Sequence, residues 1–265
     1  MMIDIHAHVT ADFDSYRQRA EEAGVTRPVL LSTSVHPENA ATLAEVRAEF
    51  DSLAQLLDGA DTPDALYKRS QQEVLGALAV WPEAVTMRKI PLEWDYTRIL
   101  AAAGDAVADP RTVGFGEVTP AGGQGALIEA VVRASAETAA GRPLPVLTHG
   151  IAPNNADDLR AYAAVATRYP QVPVIIGAFG GLNSMLAVDL AIQHTNVYLD
   201  LSSALQLFVV RAALNELPDR CLFGSNTPYG DVLAARDTIE AATKDRAVRS
   251  RALKQNAQEL FGLAN

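Results

Sequence analysis

Met2-Ile3-Asp4-Ile5-His6-Ala7-His8-Val9 is the stretch on which the reading of this sequence turns. It is short and apolar, and it closes on two histidines one residue apart. In a β-strand residues i and i+2 share a face, so His6 and His8 are expected side by side. Two neutral imidazoles converging from one strand end supply half of a first-row metal site. Taken alone, the same pair reads as a solvated His-Ala-His on a strand rim. The rest of the chain decides between the two.

Working outward, short apolar segments recur at 28–32, 84–91, 112–118, 145–149, 172–177, 196–201 and 220–224. Segments with helical spacing stand between them, at 12–24, 97–107, 126–140, 155–168, 182–193, 205–217 and 231–243, and another closes the chain at 247–261. Gly24 suits the position just past a helix end. Continuous apolar strands alternating with helices imply a parallel sheet covered on its outer face. Eight such units in 265 residues fit a single-domain α/β fold, the (β/α)8 TIM barrel. An open doubly wound sheet is the runner-up, but no Gly-x-Gly-x-x-Gly follows any strand and no phosphate loop of the Walker type is present. The second strand is followed by two helical stretches, 39–59 and 61–79, so a helical insertion at about 37–80 is expected within one domain spanning 1–265. It is a candidate lid, or a contact for a homo-oligomer.

The formal net charge of -10 and a pI near 4.9 argue against nucleic acid or an anionic membrane surface as partner, since both need clustered Lys and Arg. Cys221 is the sole cysteine, which excludes an intrachain disulfide framework and suits a reducing compartment. No signal-type segment and no apolar run of transmembrane length is present. A soluble cytoplasmic protein acting on a small molecule is the expectation.

In a barrel of this kind chemistry sits at the carboxyl ends of the strands. Those ends carry His6, His8, Glu117, His149, Ala178, Asp200 and Asn226. Glu117 and His149 each end an otherwise apolar strand, where an unpaired charge or imidazole is costly to bury. Singly they read as a paired rim carboxylate and a satisfied core histidine. Together with His6 and His8 they make four metal-capable groups at one mouth. His36 reads as a solvated loop residue and His194 as part of the opposite rim. Arg88 and Lys89 could bind an anionic group, and Tyr229 or Trp94 could line a pocket.

The stretches Ile3-Asp4-Ile5-His6-Ala7-His8, Val146-Leu147-Thr148-His149, Leu222-Phe223-Gly224-Ser225-Asn226-Thr227-Pro228-Tyr229 and Asn256-Ala257-Gln258-Glu259-Leu260-Phe261-Gly262-Leu263 resemble the amidohydrolase superfamily, in its amidohydrolase-2 branch of metal-dependent hydrolases and decarboxylases. The resemblance runs over nearly the whole chain. It implies an eight-stranded barrel with one or two divalent metals, zinc first and manganese or iron as alternatives. By it, His6, His8 and His149 are metal-ligand candidates and Glu117 matches a ligand of related branches. The activity implied is hydrolysis of a small molecule at a C–N, ester or lactone bond by metal-activated water, with decarboxylation as the close neighbour.

Two positions depart from the pattern. Ala178 stands where the family has a sixth-strand histidine, and Asn226 where it has an eighth-strand aspartate. Alanine neither binds metal nor moves a proton, and asparagine offers an amide oxygen but no basic carboxylate. Three readings stay open: a metal enzyme in which Asp200 supplies the base, with Asn226 orienting water or substrate; a barrel repurposed for binding or metal-free chemistry; or substitutions introduced into an active parent. Asp200 also reads as a residue that orients a ligand histidine.

Overall fold

The computed structural model describes residues 1–33, 35–57, 62–138 and 141–263. Eight parallel strands follow one another around a single sheet: β1 (Met2–His8), β2 (Val25–Leu31), β3 (Val85–Arg88), β4 (Thr112–Val118), β5 (Val146–Thr148), β6 (Val174–Ile176), β7 (Val197–Asp200) and β8 (Cys221–Leu222). Backbone bonds from Ile5 N to Phe223 O, Asn226 N to His6 O and His8 N to Thr227 O join the first strand to the last and close the ring. The fold is the single-domain (β/α)8 barrel expected from the alternation.

Helices cover the outside: α1 (Phe13–Ala23), α2 (Leu43–Leu57), α3 (Pro63–Val80), α4 (Tyr96–Val107), α5 (Glu129–Thr138), α6 (Ala156–Arg168), α7 (Ser184–Gln193), α8 (Leu207–Glu216), α9 (Val232–Ala242), α10 (Arg246–Ser250) and α11 (Asn256–Phe261). The helix ends are chemically marked. Asp12 accepts from Ser15 N at the start of α1, whose far end is closed by Gly24 at φ 95°. Asn155 and Asp158 form a reciprocal capping box on α6. The outer parts of the expected helices at 58, 59, 61, 139 and 140 lie outside the described residues.

Two apolar layers result. Ile3, Ile5, Val29, Leu31, Met87, Leu147, Ile175 and Leu222 fill the barrel interior. Met2, Ala7, Val9, Leu30, Phe115 and Ile176 face the helices with Trp81, Tyr162 and Leu214. Each such fully buried large side chain contributes roughly 1.5–3 kcal/mol. The first strand holds a detail that alternation alone does not predict. Unbroken alternation that sends Ile3 and Ile5 inward would send His6 and His8 out among the helices. The register of β1 against β2 slips between Asp4 and Ala7, and after the slip Ala7 and Val9 belong to the outer layer while the two histidines turn to the mouth. An irregularity of this kind re-aims side chains beside a site.

Several boundaries differ from the sequence expectation for local reasons. The third strand stops at Arg88, ahead of Ile90-Pro91, where proline has no N–H for a ladder. After Ile176 the chain turns through Ala178, Phe179 and Gly180 at φ 47°, 53° and 70°, left-handed values that cost an L-residue other than glycine about 1–2 kcal/mol. The expected helix 247–261 is broken by a π turn at Arg251–Gln255, where the Ala252 carbonyl accepts a bond from Phe223 N. Between β2 and β3, α3 buries Val74, Ala77 and Leu78, whereas no described side chain of α2 is buried. Among the described residues no helix is long and apolar enough to cross a membrane.

Candidate metal centre

At the carboxyl ends of the strands His6 Nε2 lies 3.2 Å from His8 Nε2. The partners of the other ring nitrogens assign the tautomers. His6 Nδ1 donates to Asp200 Oδ2 at 2.7 Å, and His8 Nδ1 donates to the Ser32 carbonyl at 3.0 Å. Neutral imidazoles held this way aim two lone pairs at each other, which is unfavourable unless a positive charge sits between them. Two nitrogens about 2.1 Å from one ion at a tetrahedral angle stand roughly 3.4 Å apart, close to the separation found. Glu117 brings a carboxylate oxygen to the same point: one ligand atom from each of His6, His8 and Glu117 lies within 4.8 Å of the others. These residues fit a divalent metal.

The electrostatics agree. Burial disfavours a charge on His6, which is 1% exposed, but Asp200 outweighs it and lifts the imidazole to about 9. A proton on His6 Nε2 then stands where a cation would, donating to His8. Burial and the charge on His6 push His8 down to about 4. Burial would raise Glu117, yet the His149 imidazolium beside it holds its carboxyl well below the usual range.

Asp200 is 0% exposed and accepts from every side. His6 Nδ1 and Ala178 N reach Oδ2 at 2.7 and 2.9 Å, Ser202 Oγ reaches it at 2.6 Å, and Ser202 N reaches Oδ1 at 2.9 Å. A carboxylate so occupied orients His6 and sharpens its basicity. The approach is possible because residue 224 is glycine, since a Cβ there would collide with Asp200 Oδ1 and His6 Cβ. Ser202 is part of this network and went unremarked in the sequence; the Asp200-Leu201-Ser202 spacing past a strand end was the available signal.

His149 stands one step back from the three-donor cluster. Its Nδ1 is 2.9 Å from Glu117 Oε1 and its Nε2 is 3.2 Å from the Ala152 carbonyl. Both partners accept, so both nitrogens carry protons, and although burial opposes the charge, Glu117 raises the imidazole above its ordinary value. Asn226, at φ 54°, donates through Nδ2 to Ser203 Oγ at 2.9 Å, which leaves its amide oxygen as an acceptor at the mouth.

His8, Glu117, His149 and Asn226 open on a cavity of about 420 Å³ that is also lined by Phe50, Leu53, Ile151, Pro153, Lys89 and Tyr229. Tyr229 sets its ring edge-on to His8 at 5.5 Å and shares a 2.9 Å hydrogen bond with Thr33 Oγ1, while Phe50 of α2 lies across it at 6.5 Å. Other candidates lie elsewhere. Trp94 bonds Asp64 and stacks under Arg98, tying α3 to α4; Arg88 pairs with Asp109; His36 bonds Glu38, and His194 bonds Thr167.

Solved structures share this architecture along the whole chain. A 2,6-dihydroxybenzoate decarboxylase from Rhizobium superposes with a TM-score of 0.67 at 15% identity, over 99% of this chain and 98% of that one. For a 5-carboxyvanillate decarboxylase from Sphingomonas paucimobilis the values are 0.70, 12%, 99% and 99%. For a dihydroxybenzoic acid decarboxylase from Polaromonas, solved with manganese and 2-nitroresorcinol, they are 0.64, 16%, 99% and 97%. A comparison with curated proteins finds no match. The expectation of a hydrolase is corrected here. The enzymes just named are decarboxylases, and the mouth presents Ala178 and Asn226 where a hydrolytic base would stand, with Asp200 fully engaged beneath it. An amidohydrolase family model matches residues 3–263, and with the barrel, the paired histidines and Glu117 in place the chain belongs to the amidohydrolase family.

Proposed function

We propose that the protein is a metal-dependent decarboxylase of a small, flat carboxylic acid. One observation carries the reading: the three donors His6, His8 and Glu117 converge at a mouth whose described lining is largely apolar and holds no carboxylate besides Glu117. Hydrolysis needs a group to take a proton from water. Decarboxylation needs an electrophile for the developing negative charge and a group that gives a proton. When bound, a divalent metal would supply that electrophile. A donor set of two imidazoles and one carboxylate accepts zinc or manganese, and a related decarboxylase was solved with manganese.

The chain's own residues take the following parts. His6 and His8 would hold the metal through Nε2, oriented by Asp200 and the Ser32 carbonyl, and Glu117 would contribute a carboxylate oxygen. Phe50, Leu53, Ile151 and Tyr229 form apolar walls that exclude water from a flat substrate. The C–C bond breaks with its electron pair left on the substrate carbon, carbon dioxide leaves, and that carbon takes one proton. His149 is the proton donor, from Nε2, with Glu117 steadying the imidazolium.

The test is carbon dioxide release from 2,6-dihydroxybenzoate and 5-carboxyvanillate by manganese- and zinc-loaded protein, run in D2O. Release with one deuterium at the vacated carbon is expected. Metal-loaded protein that releases none from a panel of hydroxylated aromatic acids would overturn the reading. His149→Gln separates donor from ligand: a donor role predicts unchanged metal affinity with turnover down about 10²- to 10⁴-fold, whereas a fourth-ligand role predicts weakened metal binding.

A further inference from the structure

One charged side chain at the mouth is used by nothing described so far. Lys89 directly follows β3, is half-buried, and lines the main cavity beside His8, Glu117 and His149. It also lines a smaller recess with Tyr67, Leu92 and Glu93, so it stands where the two spaces join. Its neighbours are engaged: Arg88 holds Asp109 at 2.8 Å and Glu117 holds His149 at 2.9 Å. Among the described residues no carboxylate lies within 4 Å of the Lys89 ammonium. Glu117, Glu93 and Glu73 act on it only at longer range, and burial lowers its pKa from the ordinary lysine value. An ammonium taken partly out of water without a partner is costly to the fold, and a ligand anion relieves that cost.

The charges in the cavity give the ligand's character. A divalent ion held by two neutral imidazoles, with Glu117 offset by the His149 imidazolium beside it, leaves net positive charge to be met at the metal. Lys89 adds a second such charge at a separate point of the same space. An acid with one carboxylate satisfies the first and leaves the second unanswered.

Resting on the decarboxylase reading for the carboxylate at the metal, we propose that Lys89 is a specificity-determining residue whose ammonium binds a second carboxylate of the substrate, so that the cavity selects dicarboxylic over monocarboxylic flat acids. This accounts for a cation held at the junction of the two recesses. Arg88, one residue earlier, is turned to Asp109 and cannot substitute for it.

The test is isothermal titration of manganese-loaded wild type, Lys89→Gln and Lys89→Arg with benzoate and with benzene-1,3- and 1,4-dicarboxylate, with manganese content measured on each protein. Wild type is expected to bind at least one dicarboxylate about tenfold or more tighter than benzoate, the scale of one charge-assisted hydrogen bond. Lys89→Gln should abolish that preference while leaving benzoate affinity and manganese content unchanged, and Lys89→Arg should retain it. Absence of the preference in wild type, its survival in Lys89→Gln, or its loss in both variants would each overturn the proposal. A Lys89-dependent preference in a protein that decarboxylates none of these or the hydroxylated acids would leave this assignment standing and sink the decarboxylase reading alone.

Discussion

The two halves of the barrel mouth contrast in how they use the same strand ends. On the side of β1, β4 and β5 the side chains are ionisable: His6 and His8 form one close pair and Glu117 and His149 another. On the side of β6 and β8 the corresponding places carry Ala178 and Asn226, and the contribution is made by backbone. Ala178 N supports Asp200 at 2.9 Å, and Asn226 N bonds the His6 carbonyl at 2.7 Å. The neutral half is therefore a scaffold for the charged half. The difference teaches that holding a cation and handling water's proton are separable tasks at such a mouth, and that this chain is built for the first.

The comparison breaks most visibly at the support the two halves share. Asp200→Ala removes four accepted hydrogen bonds and the partner of a buried imidazolium, and it should lower stability by about 3–5 kcal/mol in denaturant melts of the metal-free protein. A change below about 1 kcal/mol would mean that the halves do not depend on each other. Next in size, His8→Ala should weaken manganese binding beyond the 10- to 100-fold typical of losing an outer partner, read by competition with a chromophoric chelator. Unchanged affinity would place the ion elsewhere.

Proton and metal compete for the charged half, which sharpens the comparison by pH. His6 rises from 6.5 to about 9 in the fold, so the stability given by its pairing with Asp200 is complete below the unfolded value and fades as pH climbs through the folded one. Metal binding runs the opposite way, because the ion displaces the proton. Apparent manganese affinity should tighten about tenfold per unit between about pH 6 and 8, and a flat profile would remove His6 from the ligand set. The smallest effect is expected from restoring charge on the neutral side. Asn226→Asp places a carboxylate near the cation at the solvated mouth, worth about 1 kcal/mol for unit charges 4 Å apart in water and twice that for a divalent ion. Manganese affinity should rise by about tenfold or somewhat more, and a fall would show that the amide oxygen serves better than a carboxylate.

Much of this was legible along the chain because period and order are local properties. Alternating apolar strands and helices announced the barrel, and Thr112–Val118 was read to the residue because its ends are marked by polar groups. His6, His8 and Glu117 were visible as ligand types at strand ends. The short β8 and the π turn were not, because both follow from a long-range bond between Phe223 and Ala252. Reading the family pattern as hydrolysis also ran ahead of the residues, since Ala178 and Asn226 already lacked the base.

By itself the sequence determined the fold class, the family and the strand ends at which chemistry stands, because hydrophobic period and residue type are written one position at a time. Only the tertiary structure decided that β1 slips register to turn His6 and His8 inward, that Asp200 is consumed in orienting His6, that His149 pairs with Glu117, and that Lys89 lines the cavity with no carboxylate of the described residues in contact. Each of these depends on distances between strands far apart in the chain, and those distances exist only once the ring has closed.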